Sequence, residues 1–286
     1  MACAHCWFII SALARFLKIC YLSIKLPGII VTRQNQLGAV EMSEALTNAL
    51  KKIKRECLRV IPEKPGFAKL MAAETRFAGP AYAEDEELAP ICPVCGEKLS
   101  FVFQFYPAPD RKALSSSPLL VFYYCFKCTP IGAENEEPGM WLIKPYQTPS
   151  PDKFVDGIGV DKEFIAFSCR TEKVQVLPDY ETIEEKYPEI AELCEEIDGD
   201  DPVSAYEDAG LEVGCEMEPF TSIGGYPIWI QGESERKCPV CKKPMEFIGQ
   251  IDSQQEVQLM WGDAGCVYLF QCNEHHDRFG MEMQCF

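Results

Sequence analysis

Apolar positions along this chain recur with two periods. Leu46, Ala49, Leu50, Ile53 and Cys57 fall at helical spacing, with lysines and arginines on the opposite face. Ser43 is the expected N-cap of that helix, and Pro62 and Pro65 lie beyond its end. Residues 100–106 and 119–126 are dense in aromatic and β-branched side chains and predict strands, with a polar loop from Pro107 to Pro118 between them. Residues 164–167 and 173–177 are further strand candidates, whereas 62–90 and 129–152 read as irregular. Pro188 opens a second helix in which Ile190, Leu193, Cys194 and Ile197 share one face. Glu189, Glu192, Glu195 and Glu196 cover the other face, and Gly199-Asp200-Asp201-Pro202 ends the pattern. Strands follow near residues 226–231, Glu246–Asp252 and Cys266–Gln271. The fold class these elements predict is mainly β (α+β), with a few peripheral helices.

Two stretches of the chain share one plan. Cys92 to Gln104 is the same interval as Cys238 to Gln250. Leu99, Phe101, Val102 and Phe105 line up with Met245, Phe247, Ile248 and Ile251, and Leu119, Val121 and Phe122 with Cys266, Tyr268 and Leu269. Upstream, Phe77-Ala78-Gly79-Pro80-Ala81-Tyr82 resembles Ile223-Gly224-Gly225-Tyr226-Pro227-Ile228-Trp229 with one residue dropped. The expectation is an internally duplicated domain over 67–286, with halves 73–150 and 221–286 joined by 151–220. Residues 42–66 form the amphipathic helix and linker before it.

The shared plan contains the chemistry. Cys92-Pro93-Val94-Cys95 is followed, after 29 residues, by Cys125 and Cys128; Cys238-Pro239-Val240-Cys241 is followed, after 30, by Cys272 and then His275 or His276. Paired thiolate turns brought to one point are how a closed tetrahedral zinc site is made, so two structural zinc ions are expected as zinc-ribbon-like staples. The Cys-x-x-His spacing favours His275 as the last ligand. The rival reading, a redox Cys-Pro-x-Cys motif, needs an activated thiol at a helix start. Here Gly96-Glu97-Lys98 and Lys242-Lys243-Pro244 lead instead into strands.

Charge and cysteine usage narrow the setting. The 286 residues carry a net charge of -17, yet residues 1–40 hold Arg15, Lys18, Lys25 and Arg33 and no acid. The acidic remainder repels a phosphate backbone, which argues against general nucleic-acid binding and suits a basic protein partner. Seven of the 16 cysteines belong to the metal patterns; Cys57, Cys169, Cys194 and Cys215 are scattered in apolar or helical surroundings. That arrangement fits a reducing compartment, and the cytoplasm is the expected location. Residues 1–41 are set apart as an N-terminal extension, with translation expected to begin at Met42. A targeting or membrane-surface segment is the alternative, and a membrane partner is expected only if residues 1–40 are retained.

A few other residues invite functional readings. Gln104 and Gln250 hold matched positions and either bond backbone across the sheet or line a groove for an extended peptide. Trp229 and Trp261 are candidate core residues or groove walls. Asp252 and Asp263 form an imaginable acid–base pair, although Gly262-Asp263-Ala264-Gly265 reads as a turn. The first half has no counterpart of either acid.

Residues 222–229, the run Phe247-Ile248-Gly249-Gln250-Ile251-Asp252-Ser253 and Met260-Trp261-Gly262-Asp263-Ala264-Gly265 together resemble the YwqG family. That largely bacterial family has no settled biochemical role, and its plainest members can lack the cysteine pairs. Phe103-Gln104-Phe105-Tyr106-Pro107-Ala108-Pro109, followed by a strand running into Cys125, is similar to the programmed cell death protein 2 family. Leu114-Ser115-Ser116-Ser117-Pro118 replaces the basic-aromatic stretch usual there. The resemblance implies a mainly β fold, and for the second family an escort role for a newly made ribosomal protein. The function expected is therefore a non-catalytic, zinc-stabilised protein-binding module, a chaperone-like escort of a basic client. The alternative is an enzyme with its site around Gln250, Asp252, Trp261 and Asp263.

Overall fold

The computed structural model describes residues 33–63, 73–84, 86–106, 118–128, 139–150 and 166–286. The expectations for residues 1–32, for the loop 107–117, for 129–138 and for a strand at 164–165 lie outside these. Residues Met42–Phe286 form one compact unit, and of the other unit, Met1–Glu41, only helical residues 33–41 are described. No helix among the described residues is long and apolar enough to cross a membrane.

Four helices are described: α1 (Arg33–Ile53), α2 (Tyr180–Lys186), α3 (Pro188–Ile197) and α4 (Pro202–Glu212). The strands are β1 (Arg55–Pro62), β2 (Arg76–Phe77), β3 (Ser100–Phe105), β4 (Leu119–Tyr124), β5 (Trp141–Tyr146) and β6 (Phe167–Val176), then β7 (Cys215–Glu216), β8 (Ser222–Ile223), β9 (Glu246–Asp252), β10 (Cys266–Gln271) and β11 (Phe279–Gln284). They make one sheet ordered β11-β10-β9-β8-β1-β6-β2-β3-β4-β5, with β7 added in parallel beside β6. The mainly β expectation is correct.

Several sequence expectations are revised by partners distant in the chain. Helix α1 runs through Ser43 rather than starting there, because residues 33–41 contain no proline and include good helix formers. It ends at Ile53, where Lys51 and Lys52 meet its negative end. Cys57 therefore lies on a strand: β1 pairs with β6 over eight residues, from Arg55 opposite Val176 to Pro62 opposite Cys169. The two strand candidates at 164–167 and 173–177 join, over the described residues, into the single long β6. Residues 226–231, expected as a strand, join no ladder. Strands β5 and β11 were not expected: Pro145 disguises the first, and the alternation Met281-Glu282-Met283-Gln284 was a legible but unused signal for the second.

The sheet curls around one apolar interior. Leu58 and Val60 of β1, Phe103 and Phe105 of β3, Phe122 of β4 and Leu269 of β10 share it. So do Ile143 of β5 and Met281 of β11, the strands at opposite ends of the order, so the antiparallel sheet is nearly closed. Strands β4 and β10 are buried on both faces, which explains their continuous apolar runs. Ala81 and Tyr82 cover the outer face of β3–β4, and Trp229 and Ile230 that of β9–β10. The helices pack through Leu46, Leu50, Ile183, Ile190, Cys194 and Tyr206. Asp179 and Asp201 cap α2 and α4 by accepting from the Thr182 and Ser204 N–H groups. From Tyr180 to Glu212 the chain has thirteen carboxylates and a single base, Lys186, so the chain's negative charge is concentrated on this helical layer.

Candidate metal centres

Each Cys-Pro-Val-Cys segment forms a tight knuckle. The Gly96 N–H donates to the Cys92 carbonyl and the Cys92 N–H to the Glu97 carbonyl, at 2.9 and 2.8 Å. The Lys242 N–H donates to Cys238, and the Cys238 N–H to Lys243, both at 2.9 Å. Isolated bridges, Ile91 with Lys98 and Lys237 with Pro244, close the two turns. The other ligands leave strand ends: Cys125 directly follows β4 and Cys272 directly follows β10. Their N–H groups donate to the Met140 and Arg278 carbonyls, which fixes both strand ends.

This brings together Cys92, Cys95, Cys125 and Cys128 in one group and Cys238, Cys241, Cys272 and His275 in the other. Within each group the ligand atoms lie within 4.8 Å of one another, suited to hold a metal ion. Cys95 Sγ lies 3.8 Å from Cys125 Sγ, and Cys241 Sγ lies 3.6 Å from Cys272 Sγ. His275 Nδ1 lies 3.8 Å from Cys238 Sγ and 3.6 Å from Cys272 Sγ. The group takes in His275 and not His276, whose backbone carbonyl accepts from the Gln271 amide.

The thiols respond to this crowding. Hydrogen bonds from the Cys95 and Val94 N–H groups lower Cys92 to about 7, whereas Cys128, bonded to the Cys95 sulfur, rises to about 12. Burial works to raise Cys238, but the N–H groups of Cys241 and Val240 outweigh it and bring that thiol to about 6. A thiolate in such a cluster disfavours ionisation of the next sulfur, and a divalent cation removes that conflict.

Behind each group the same hydrogen bonds recur at fully buried glutamines. Gln104 accepts from the Tyr82 N–H at 3.2 Å and donates to the Glu74 carbonyl at 2.7 Å. Gln250 accepts from the Ile228 N–H and donates to the Phe220 carbonyl, both at 2.9 Å. The Tyr106 N–H donates to Thr75 Oγ1, and the Asp252 N–H to Thr221 Oγ1, each at 3.0 Å. Both glutamines thus stitch a covering segment to the sheet through backbone bonds. Residues 226–231 are held this way rather than by a ladder. Gln284, which the sequence did not single out, accepts from the Ile230 and Gln231 N–H groups. The same correspondence aligns the turns Ala78-Gly79 and Gly224-Gly225, all with positive φ, without the dropped residue expected from the sequence.

The remaining candidates sit in unlike surroundings. Trp261 is buried in the interior, 5.1 Å from Tyr124 and 5.6 Å from Phe126 between ring centres. Its indole N–H has no hydrogen-bond partner among the described residues. Trp229 lies over Tyr268 at 4.3 Å on the outer face. Asp263 is exposed in a turn, where its backbone carbonyl accepts from Phe286. Asp252 is half-buried opposite Cys266, and burial pushes its carboxyl up to about 7.

A comparison with curated proteins finds no match. A family model, described as a domain of unknown function (DUF1963), matches residues 75–285, which take in both ligand groups and both glutamines. The chain therefore belongs to the DUF1963 family.

Proposed function

We propose that the chain is a non-catalytic, zinc-stapled protein-binding module whose client is basic. The observation that carries the binding reading is the helical layer with its thirteen carboxylates and one base, a field suited to steer and hold a cationic surface. The escort role implied by resemblance to the programmed cell death protein 2 family agrees with a basic client. The free cysteines throughout the described residues fit a reducing, cytoplasmic setting.

Zinc is the metal we assign to both groups. Four ligands at about 2.3 Å for sulfur and 2.0–2.1 Å for nitrogen, in a tetrahedron, put sulfurs about 3.8 Å apart and sulfur about 3.6 Å from nitrogen. The measured separations, 3.6–3.8 Å, fit those edges. With four protein ligands each site is closed, so the ions brace the fold. We also infer that the halves arose by internal duplication, the reading supported by matched ligands, glutamine bonds and turns and by the YwqG resemblance.

The test is titration of the zinc-loaded full chain with a lysine- and arginine-rich 20-residue peptide. Neutralising Glu189, Glu192, Glu195 and Glu196 to glutamine should weaken binding and its salt dependence. The same change at Glu97, Glu235, Glu256 and Asp277 should do less. Equal losses in the two variants would sink the assignment to the helical layer. The enzyme reading rests on one feature, the raised carboxyl of Asp252. Against it, Gln250 is committed to backbone bonds, Trp261 is buried in the core and Asp263 is exposed.

A further inference from the structure

The nearly closed sheet has a seam. Its order ends at β5 on one side and β11 on the other, and among the described residues neither outer edge is paired further. The two edges meet across a cleft of about 430 Å3, lined by Trp141, Leu142 and Ile143 of β5 and by Phe279, Gly280 and Met281 of β11. The interior is incompletely covered at this place: Trp141, Phe279 and Met283 pack against the core but stay half-exposed. Unpaired strand edges are templates for another strand. Elsewhere β5 is protected, since Lys144 is tied to Glu87 and Pro145 has no N–H to offer.

The two walls of the cleft differ. Trp141, Ile143, Phe279 and Met281 belong to the inner, apolar side. The outer rim includes Arg236, Lys237 and Arg278 against Asp277, a locally positive lining in a chain of net charge -17. Arg236 is engaged by Glu282. Among the described residues Lys237 and Arg278 pair with exposed acids, Glu235 at 2.9 Å and Asp277 at 3.4 Å, contacts that contribute little in water and are easily exchanged.

We infer that this seam binds an extended segment of a partner protein as an added strand, with apolar side chains facing inward alternating with carboxylates facing the Lys237–Arg278 rim. Period-2 alternation is what a strand between an apolar and a cationic wall requires. Every pairing along the sheet path is antiparallel, so β5 and β11 run in opposite directions. The added strand therefore runs antiparallel to one edge and parallel to the other. This goes beyond the basic-client reading, since it uses another face and the opposite charge.

The probe is a fluorescent heptapeptide of alternating valine and glutamate, titrated into the zinc-loaded full chain and followed by anisotropy. It should bind about tenfold tighter than its valine–lysine counterpart and than a version N-methylated at alternate residues, which loses backbone donors along one edge. The double variant K237E/R278E should reverse the preference between glutamate and lysine peptides without moving the thermal midpoint. Amides at 141–143 and 279–281 should gain protection from exchange when the glutamate peptide binds. The glutamine variant of α3 described above should bind it as the parent does; a loss there would show that the two faces are one site. Failure of all three peptides to bind, or equal affinity for the N-methylated one, overturns the inference. So does sedimentation of the unliganded chain as a dimer that K237E/R278E dissolves, which would give the seam to a second copy.

Discussion

At the tip of the first knuckle stands Gly96 with φ of 74°, and at the matching place in the second stands Lys242 with φ of 63°. Beside each stands an exposed ion pair, with the charges in opposite order: Glu97 with Lys127 at the first, Lys243 with Glu274 at the second. One step back, buried Arg76 is matched in the ladder by Ser222, each opposite its glutamine. Backbone path, three cysteine ligands and the glutamine bonds match, while the fourth ligand, Cys128 or His275, and the side chains around the knuckles differ. The knuckles need a left-handed backbone and four converging ligands, and they place few demands on anything else.

That comparison can be broken at several strengths. The largest effect is expected from Cys95→Ser and Cys241→Ser, each of which should remove one zinc per chain and lower the melting temperature by more than about 10 °C. Metal analysis of protein purified without chelator checks this. Loss of both ions from either variant would show that the halves are not independent staples. Next come Gln104→Ala and Gln250→Ala, each leaving buried backbone groups unpaired and costing about 2–4 kcal/mol in denaturant unfolding. Similar losses sharpen the comparison, and a much smaller loss at one position means that its covering segment is held by other bonds.

A third prediction concerns a place where the halves differ, Asp252 against Tyr106. The Asp252 carboxyl is raised by burial from 3.8 to about 7, so its ionised form is disfavoured in the folded state. Stability from this group is complete below pH 4 and declines as pH rises towards about 7, by about 1–2 kcal/mol after allowance for partial exposure. Asp252→Asn should flatten that decline in unfolding curves taken across the range. The smallest effects lie at the knuckle tips. Lys242→Gly should stabilise by about 0.5–1 kcal/mol by relieving the left-handed strain, and Gly96→Ala should destabilise by about 1 kcal/mol. Apart from its chain neighbours, no heavy atom among the described residues lies within 4 Å of the added methyl at Gly96, so the backbone conformation sets that cost. Opposite signs at equivalent positions would be hard to obtain unless the two tips share one conformation.

Much of the site was legible because its information is local. Two Cys-Pro-Val-Cys segments, each leading into a strand and each followed at nearly equal spacing by a second ligand pair, read as knuckles, and β9 and β10 appear where their apolar runs predicted them. The missed elements depend on partners far along the chain. Nothing near Cys57 announces the eight-residue pairing with β6 that makes it a strand residue. Nothing around residues 226–231 announces that Gln250 and Gln284, rather than a neighbouring strand, take up their N–H groups.

The sequence by itself determined the ligand types, their spacing, the mainly β character and the acidity, because each follows from residue chemistry or from periods of a few residues. Only the tertiary structure decided that His275 joins the second group, that both candidate glutamines are sealed against backbone, and that β5 and β11 face each other across an open seam. Those outcomes depend on how a curled sheet brings its two ends together, and that closure is a property of the whole chain.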